Sequence, residues 1–233
     1  MRRMLTLLGT GALLACATQK APAKLDDSGL SRLNEQQMQP VDDARIEAGR
    51  AHDAVSRARA AEAEARSRLE VAKSERDVAE AQLKRAIAER DMLKKQYADK
   101  SQIARAEDEI AAVQQRAKAT ELKMHYLEQM IAVAEAERKA AEAHENTANA
   151  RLEQAKWKAM VDAGSPQASS INGAELDRRL AEAQGQEAQL QKEAAQRRAL
   201  AIETYNRWQE MDSKVRTLAR PSTVPTPAPP PTR

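Results

Sequence analysis

Between Pro40 and Pro166 this chain contains no proline, and between Gly49 and Gly164 it contains no glycine. Proline and glycine are the strongest local breakers of regular structure. Residues 50–163 carry neither, and they are dominated by alanine, charged residues and glutamine. A stretch of that kind can become long helix, and it has little material for anything else. The whole chain has 233 residues, no Phe, two Trp and three Tyr. A compact globular core of this size would normally carry more rings. The composition, with 31% charged residues, reads as coiled coil or long helix.

The heptad pattern agrees. From residue 51 the d positions are Ala51, Ala58, Ala65, Ala72, Ala79 and Ala86, then Leu93. The a positions are Val55, Glu62, Leu69, Arg76, Leu83, Arg90 and Tyr97. A sustained a/d seam is the signature of paired helices. With only methyl groups at d, two backbones can approach closely, but each layer buries little area. A second seam has Ile103, Ile110, Ala117, Met124, Ile131, Arg138, Glu145 and Leu152 at a. Its d positions are Ala106, Val113, Thr120, Leu127, Ala134, Ala141, Ala148 and Ala155. The two registers differ by one residue, which is not an insertion that a continuous coil absorbs. The slip falls at Asp99-Lys100-Ser101-Gln102, so a hairpin turn is expected near 99–102. One unbroken helix of about 120 residues, roughly 180 Å long, is the alternative.

A turn near residue 100 places residues whose numbers add to about 200 opposite each other. Leu69 then faces Ile131, and the charged a residues Glu62 and Arg138 meet at one level. Charges in a seam are costly unless paired, so opposite signs at matched heights support this register.

Gly and Pro then divide the rest. Residues 16–40 contain Pro22, Gly29 and Pro40 and read as a flexible tether. The hairpin occupies 41–163, and a loop spans 164–173. A third heptad-patterned helix is expected over 174–219, with Leu176, Leu180, Leu190, Trp208 and Val215 among its apolar positions. The tail 220–233 contains six prolines and reads as polyproline-like or disordered. Trp157, Tyr205 and Trp208 are the largest side chains available and are expected to pack between helices. The fold class is therefore all-α: a long antiparallel coiled-coil hairpin, a third helix, and irregular ends.

The first residues read as an export signal. Arg2 and Arg3 precede an apolar run from Leu5 to Ala15, too short to span a bilayer but suited to a signal peptide. Cys16, the only cysteine, follows directly. Leu13-Leu14-Ala15-Cys16 resembles the lipobox of bacterial lipoproteins, with Leu14 standing where a smaller residue is more usual. The resemblance implies cleavage of residues 1–15 between Ala15 and Cys16 and acylation of Cys16. A single acyl chain binds a membrane only marginally, whereas several hold a protein stably without a transmembrane helix. In this family an Asp after the cysteine favours the inner membrane. Ala17 here implies the outer membrane, with the protein facing the periplasm.

Other function classes find little support. Loss of Arg2 and Arg3 would leave 36 basic residues against 35 acidic ones, with no basic block suited to nucleic acid. His52, His125 and His144 lie more than a helical turn apart, and no phosphate loop or nucleophile motif is present. His144-Glu145 begins like a zinc-protease helix, but Ala148 stands where the second His is needed. No catalytic residue, metal site or cofactor is expected. The lipid bilayer is the expected partner of Cys16, and an envelope protein the expected partner of a helix face. Pairing with a second copy is left open. Three roles fit: a scaffolding rod, an adaptor of an efflux, secretion or envelope-assembly machine, or a modulator of a cell-wall enzyme. Long hairpins in periplasmic efflux adaptors look similar, but those carry flanking β-domains, for which no strand-like segment exists here.

Overall fold

A computed structural model describes residue 25, residues 27–31 and residues 33–218. The signal peptide, Cys16 and the tail 220–233 lie outside them. Among the described residues 93% are helical and none is in a strand. Three long helices account for nearly all of it: α1 (Glu35–Lys95), α2 (Lys100–Asp162) and α3 (Gly173–Leu218). Short 3-10 turns at Asp27–Leu30 and Pro166–Ser170 complete the set. At 1.5 Å per residue α2 is about 95 Å long.

The chain folds back, so the single long helix is excluded. Arg138 Nε donates to Glu62 Oε2 at 2.7 Å, the pair expected from the seam. Arg66 reaches Glu135 at 2.9 Å, Lys123 reaches Glu75 at 2.6 Å and Lys94 reaches Glu107 at 2.8 Å. The numbers in each pair add to about 200, which sets Leu69 level with Ile131. Ala51, Ala65, Ala72, Ala79 and Ala86 are buried along the methyl seam, facing buried Ala106, Ile110, Val113, Leu127, Ala134 and Ala148 of α2.

Helix α2 is central. Adjacent residues on it serve different neighbours. Arg138 bonds α1, while Glu137 accepts from Arg198 of α3 at 2.6 Å. Glu145 meets His52 of α1, while His144 meets Glu187 of α3 at 2.9 Å. One residue is about 100° of rotation. The seams for α1 and α3 are therefore about 100° apart on α2, wider than the corner of a closed triangular bundle. Helices α1 and α3 each pack along α2 and hardly touch one another. The α2–α3 pairs have numbers adding to about 331, so α3 runs antiparallel to α2. Leu218 is then level with about residue 113. Above that level the described residues form α1 and α2 alone.

Both corners are built the same way. At the first, the Ala98 N–H donates to the Leu93 carbonyl at 3.1 Å and the Tyr97 N–H to the Lys94 carbonyl at 3.4 Å. At the second, the Ser165 N–H donates to Met160 and the Gly164 N–H to Val161, both at 2.9 Å. These are Schellman caps, which need a left-handed residue just past the helix. Gly164 fills that place with φ 65°, and Tyr97 fills it with φ 53°. The turn lies at 96–99, not 99–102. Lys100, Ser101 and Gln102 form the first turn of α2, and Tyr97 leaves the seam that its heptad position implied to become 95% exposed.

Two boundaries also move. Helix α1 begins at Glu35 and continues through Pro40, where a break was expected at 41. The cause is a capping box: the Gln37 N–H donates to the Asn34 side chain at 2.9 Å, and the Asn34 N–H donates to the Gln37 side chain at 3.1 Å. Helix α3 begins at Gly173, one residue early, with the Asn172 side chain accepting from the Glu175 N–H. The 164–173 segment turns the chain as expected. Gly173 lies directly against Trp157: a Cβ there would sit 2.1 Å from the ring.

Replacing Tyr97 with glycine removes a side chain from left-handed backbone. Tyr97→Gly should raise unfolding free energy by about 1 kcal/mol, read by urea titration of helical circular dichroism. Gly173→Ala should lower it by about 1–3 kcal/mol through overpacking against Trp157.

Candidate functional site

The residues singled out as the anchor, Ala15 and Cys16, precede the described region. The structure does describe how the chain coming from that end joins the helices. The sequence assigns residues 16–40 to a flexible tether, but the described residues Leu25, Leu30, Leu33 and Met38 of that span are docked. Leu25, Leu33 and Met38 pack around a core of Leu30, Val41, Ala159, Met160 and Ala168. Val41 and Met160 are almost fully buried, at 0% and 1%. Gly29 makes this possible: a Cβ there would lie 2.7 Å from the Met160 sulfur and 2.3 Å from Gln167 Oε1. The glycine read as flexibility is used for close approach.

A charged clasp fastens the strap. The Leu25 N–H donates to Glu153 Oε2 at 2.6 Å. Lys156 Nζ lies 2.8 Å from Asp27 Oδ1 and 3.3 Å from Glu153 Oε1, and Arg45 reaches the other Asp27 oxygen at 3.2 Å. Glu153 and Lys156 are both buried. An ammonium group is tolerated there only because two carboxylates face it. The hydrogen bond from Lys156 holds the Asp27 carboxyl below its ordinary range, with Arg45 adding to the effect. Higher in the rod, the Arg138 guanidinium does the same to Glu62. The sequence signal for the clasp was weak. Glu153 and Lys156 are spaced like any exposed pair on a helix, and nothing marked them as buried.

The second feature is aromatic. Tyr126 of α2 and Tyr205 and Trp208 of α3 form one cluster, with ring centroids 5.2, 5.7 and 5.6 Å apart. Tyr205 and Trp208 thus pack between helices as expected, while Trp157 packs separately against Gly173. Beside the cluster lies a groove of about 390 Å³ lined by Tyr126, Met130, Val133, Ala201, Ile202 and Tyr205. Ile202 is 60% exposed at its rim. The Glu137 and Arg198 ion pair borders it. It is an apolar strip with one charged edge, a surface suited to contact.

The three histidines are separate. His52, His144 and His125 face Glu145, Glu187 and Glu128, at 2.8, 2.9 and 3.6 Å. Among the described residues no group of three or more His, Cys, Asp or Glu could hold a metal ion, and no helix is long and apolar enough to cross a membrane. No protein-family model matches the chain, and no curated protein or solved structure matches it either.

The clasp makes two testable statements. Lys156→Ala leaves buried Glu153 without its cation and should cost about 3 kcal/mol, with faster hydrogen exchange over residues 27–33. Because the Asp27 and Glu62 carboxyls are depressed in the folded state, their contribution is present at neutral pH and is lost as pH falls below about 4. Exchange over residues 27–33 should therefore accelerate on acidification and be insensitive to pH changes between neutral and pH 6, once corrected for intrinsic rates.

Proposed function

We propose that this chain is a lipoprotein held in the outer membrane by acylated Cys16, and that its helices form a periplasmic rod scaffolding the cell envelope. The lipobox Leu13-Leu14-Ala15-Cys16 supports the anchor. The observation that carries the rod reading is the docked strap. Only nine residue steps separate Cys16 from Leu25, a reach of at most about 30 Å, and the strap is clasped to a body about 95 Å long. A short link to a long stiff body fixes where the far end can be, which is what a spacer or scaffold requires. Charge is balanced along the helices and pairs across them, which suits a solvated rod better than an enzyme. The exposed groove beside Tyr205 favours a partner protein held on the α2–α3 face, so the adaptor or modulator role is the second reading.

The anchor is tested by Cys16→Ala. The parent chain should incorporate labelled fatty acid and fractionate with the outer membrane, and the variant should do neither. Labelling or sedimentation unchanged by the substitution would overturn the proposal. Crosslinking through the α2–α3 face then separates the roles: a channel or secretion component supports the adaptor, and a cell-wall hydrolase or synthase the modulator.

A further inference from the structure

The hairpin tip breaks local rules at two neighbouring positions, Tyr97 and Lys100. Tyr97 takes φ 53°, where glycine carries no steric penalty, and at 95% exposed it gains no packing in return. Asp99, the N-cap residue of α2, is of a type favoured there, although its side chain makes no capping hydrogen bond. Lys100 stands in the first turn of α2, at the positive end of the helix dipole, where an acid is favoured. The turn itself requires neither choice, because the other corner makes the same cap with Gly164. Locally unfavourable residues gathered at one place mark a site selected for something besides folding.

The chemistry of the tip is specific. Residues 93–105 carry Lys94, Lys95, Lys100 and Arg105 against one acid, Asp99. Lys94 is paired with Glu107. Among the described residues no ion pair engages Lys95, Lys100 or Arg105. Met92, 52% exposed, adds a second apolar side chain near the end. The next acids in from the end are paired, Glu107 with Lys94 and Asp91 with Arg90, and Asp108 and Glu109 lie further down α2. The tip is convex, with an exposed phenol ring among unpaired ammonium groups. A tyrosine of this kind sits at the headgroup level of a bilayer, and lysines beside it are drawn to anionic lipids. The charge complementarity therefore favours a flat, negatively charged lipid surface over a grooved protein partner.

We propose that the hairpin tip, through Tyr97, Lys95 and Lys100, binds an anionic phospholipid surface. This goes beyond the scaffold reading and rests on its anchor, because the tip lies at the opposite end of the rod from Leu25, where the described chain leading from the proposed anchor begins. With the anchor in one bilayer, a bound tip would bridge to another.

The full-length chain is seated by its N-terminal end in phosphatidylcholine vesicles, and seating is checked by flotation. Labelled vesicles containing phosphatidylglycerol are then added. Capture is expected at low salt, with none of pure phosphatidylcholine vesicles. Tyr97→Gly, and the double variant Lys95→Gln with Lys100→Gln, should each reduce capture about tenfold. Tyr97→Gly relieves backbone strain, so its loss cannot come from unfolding, and unchanged helicity would confirm this. Tyr97→Trp should retain capture and show a fluorescence blue shift over the Trp157 and Trp208 background on binding. Seated protein that captures no anionic vesicles would overturn the proposal. So would capture unaffected by the variants, or equal capture of uncharged vesicles. If the chain does not float with the first vesicles, the anchor reading fails on its own. The tip is then judged by direct flotation with anionic vesicles, comparing parent and variants by the same criteria.

Discussion

Helix α2 has to satisfy two neighbours at once, and the rest of the molecule follows from how it does so. Its α1 face alternates small and larger residues, with buried Ala106, Ala134 and Ala148 and buried Ile110, Val113 and Leu127 against the methyl seam of α1. Its α3 face adds aromatic packing, with Tyr126 against Tyr205 and Trp208. Burying a methylene-sized group contributes about 0.8 kcal/mol, so the methyl seam is weak per layer and gains its strength from length. A weak uniform seam is also poor at fixing register, because sliding by one heptad exchanges one alanine for another. The charged pairs supply what the methyl groups lack. Glu62, with a side chain only 14% exposed, meets Arg138 at a single height, and a slide of one heptad would break that pair, leaving Glu62 only Arg66 and Arg138 only Glu142 on their own helices. Exposed pairs elsewhere contribute about 0–1 kcal/mol each. Their collective value is in making one alignment better than its neighbours.

Much of this fold was legible in the sequence because alanine periodicity survives over many turns, where single misreadings average out. The hairpin, its register and the Glu62 and Arg138 pair could all be read from spacing alone. The ends of elements were harder, since each depends on one or two residues. The polar run at 99–102 looked like the turn, yet a Schellman cap needs a left-handed residue and not a polar one. Tyr97 gave no hint that it would take that conformation. Pro40 looked like a boundary because proline usually is one. The capping box formed by Asn34 and Gln37 was visible in the residues just before it, and it outweighs the proline. The buried clasp was not legible. Lys156 and Glu153 differ from their exposed neighbours only in what a distant segment does to them.

The base and the distal end of the rod are made on opposite principles. At the base, Leu30, Val41 and Met160 form a conventional apolar core closed by a strap, and every buried charge there has a partner. Toward the tip the helices separate from α3, apolar burial thins to a single seam, and cations stand unpaired. The clasped base and the candidate contact end are thus distinguished by their physics as well as by their distance.

The unequal height of the three helices has a mechanical consequence. From the base to about the level of residue 113, three helices are coupled side by side, and beyond it only α1 and α2 continue among the described residues. Bending resistance rises steeply with the breadth of a laterally bonded beam, so the rod is a stepped cantilever. A sideways load at the far end would be absorbed mainly by flexure of the two-helix segment, while the three-helix segment carried the moment back to the clasped root with little curvature. With the clasped root as the attached end, as proposed, such a beam would hold its direction near that attachment and yield near its free end, following a moving counterpart without straining the root.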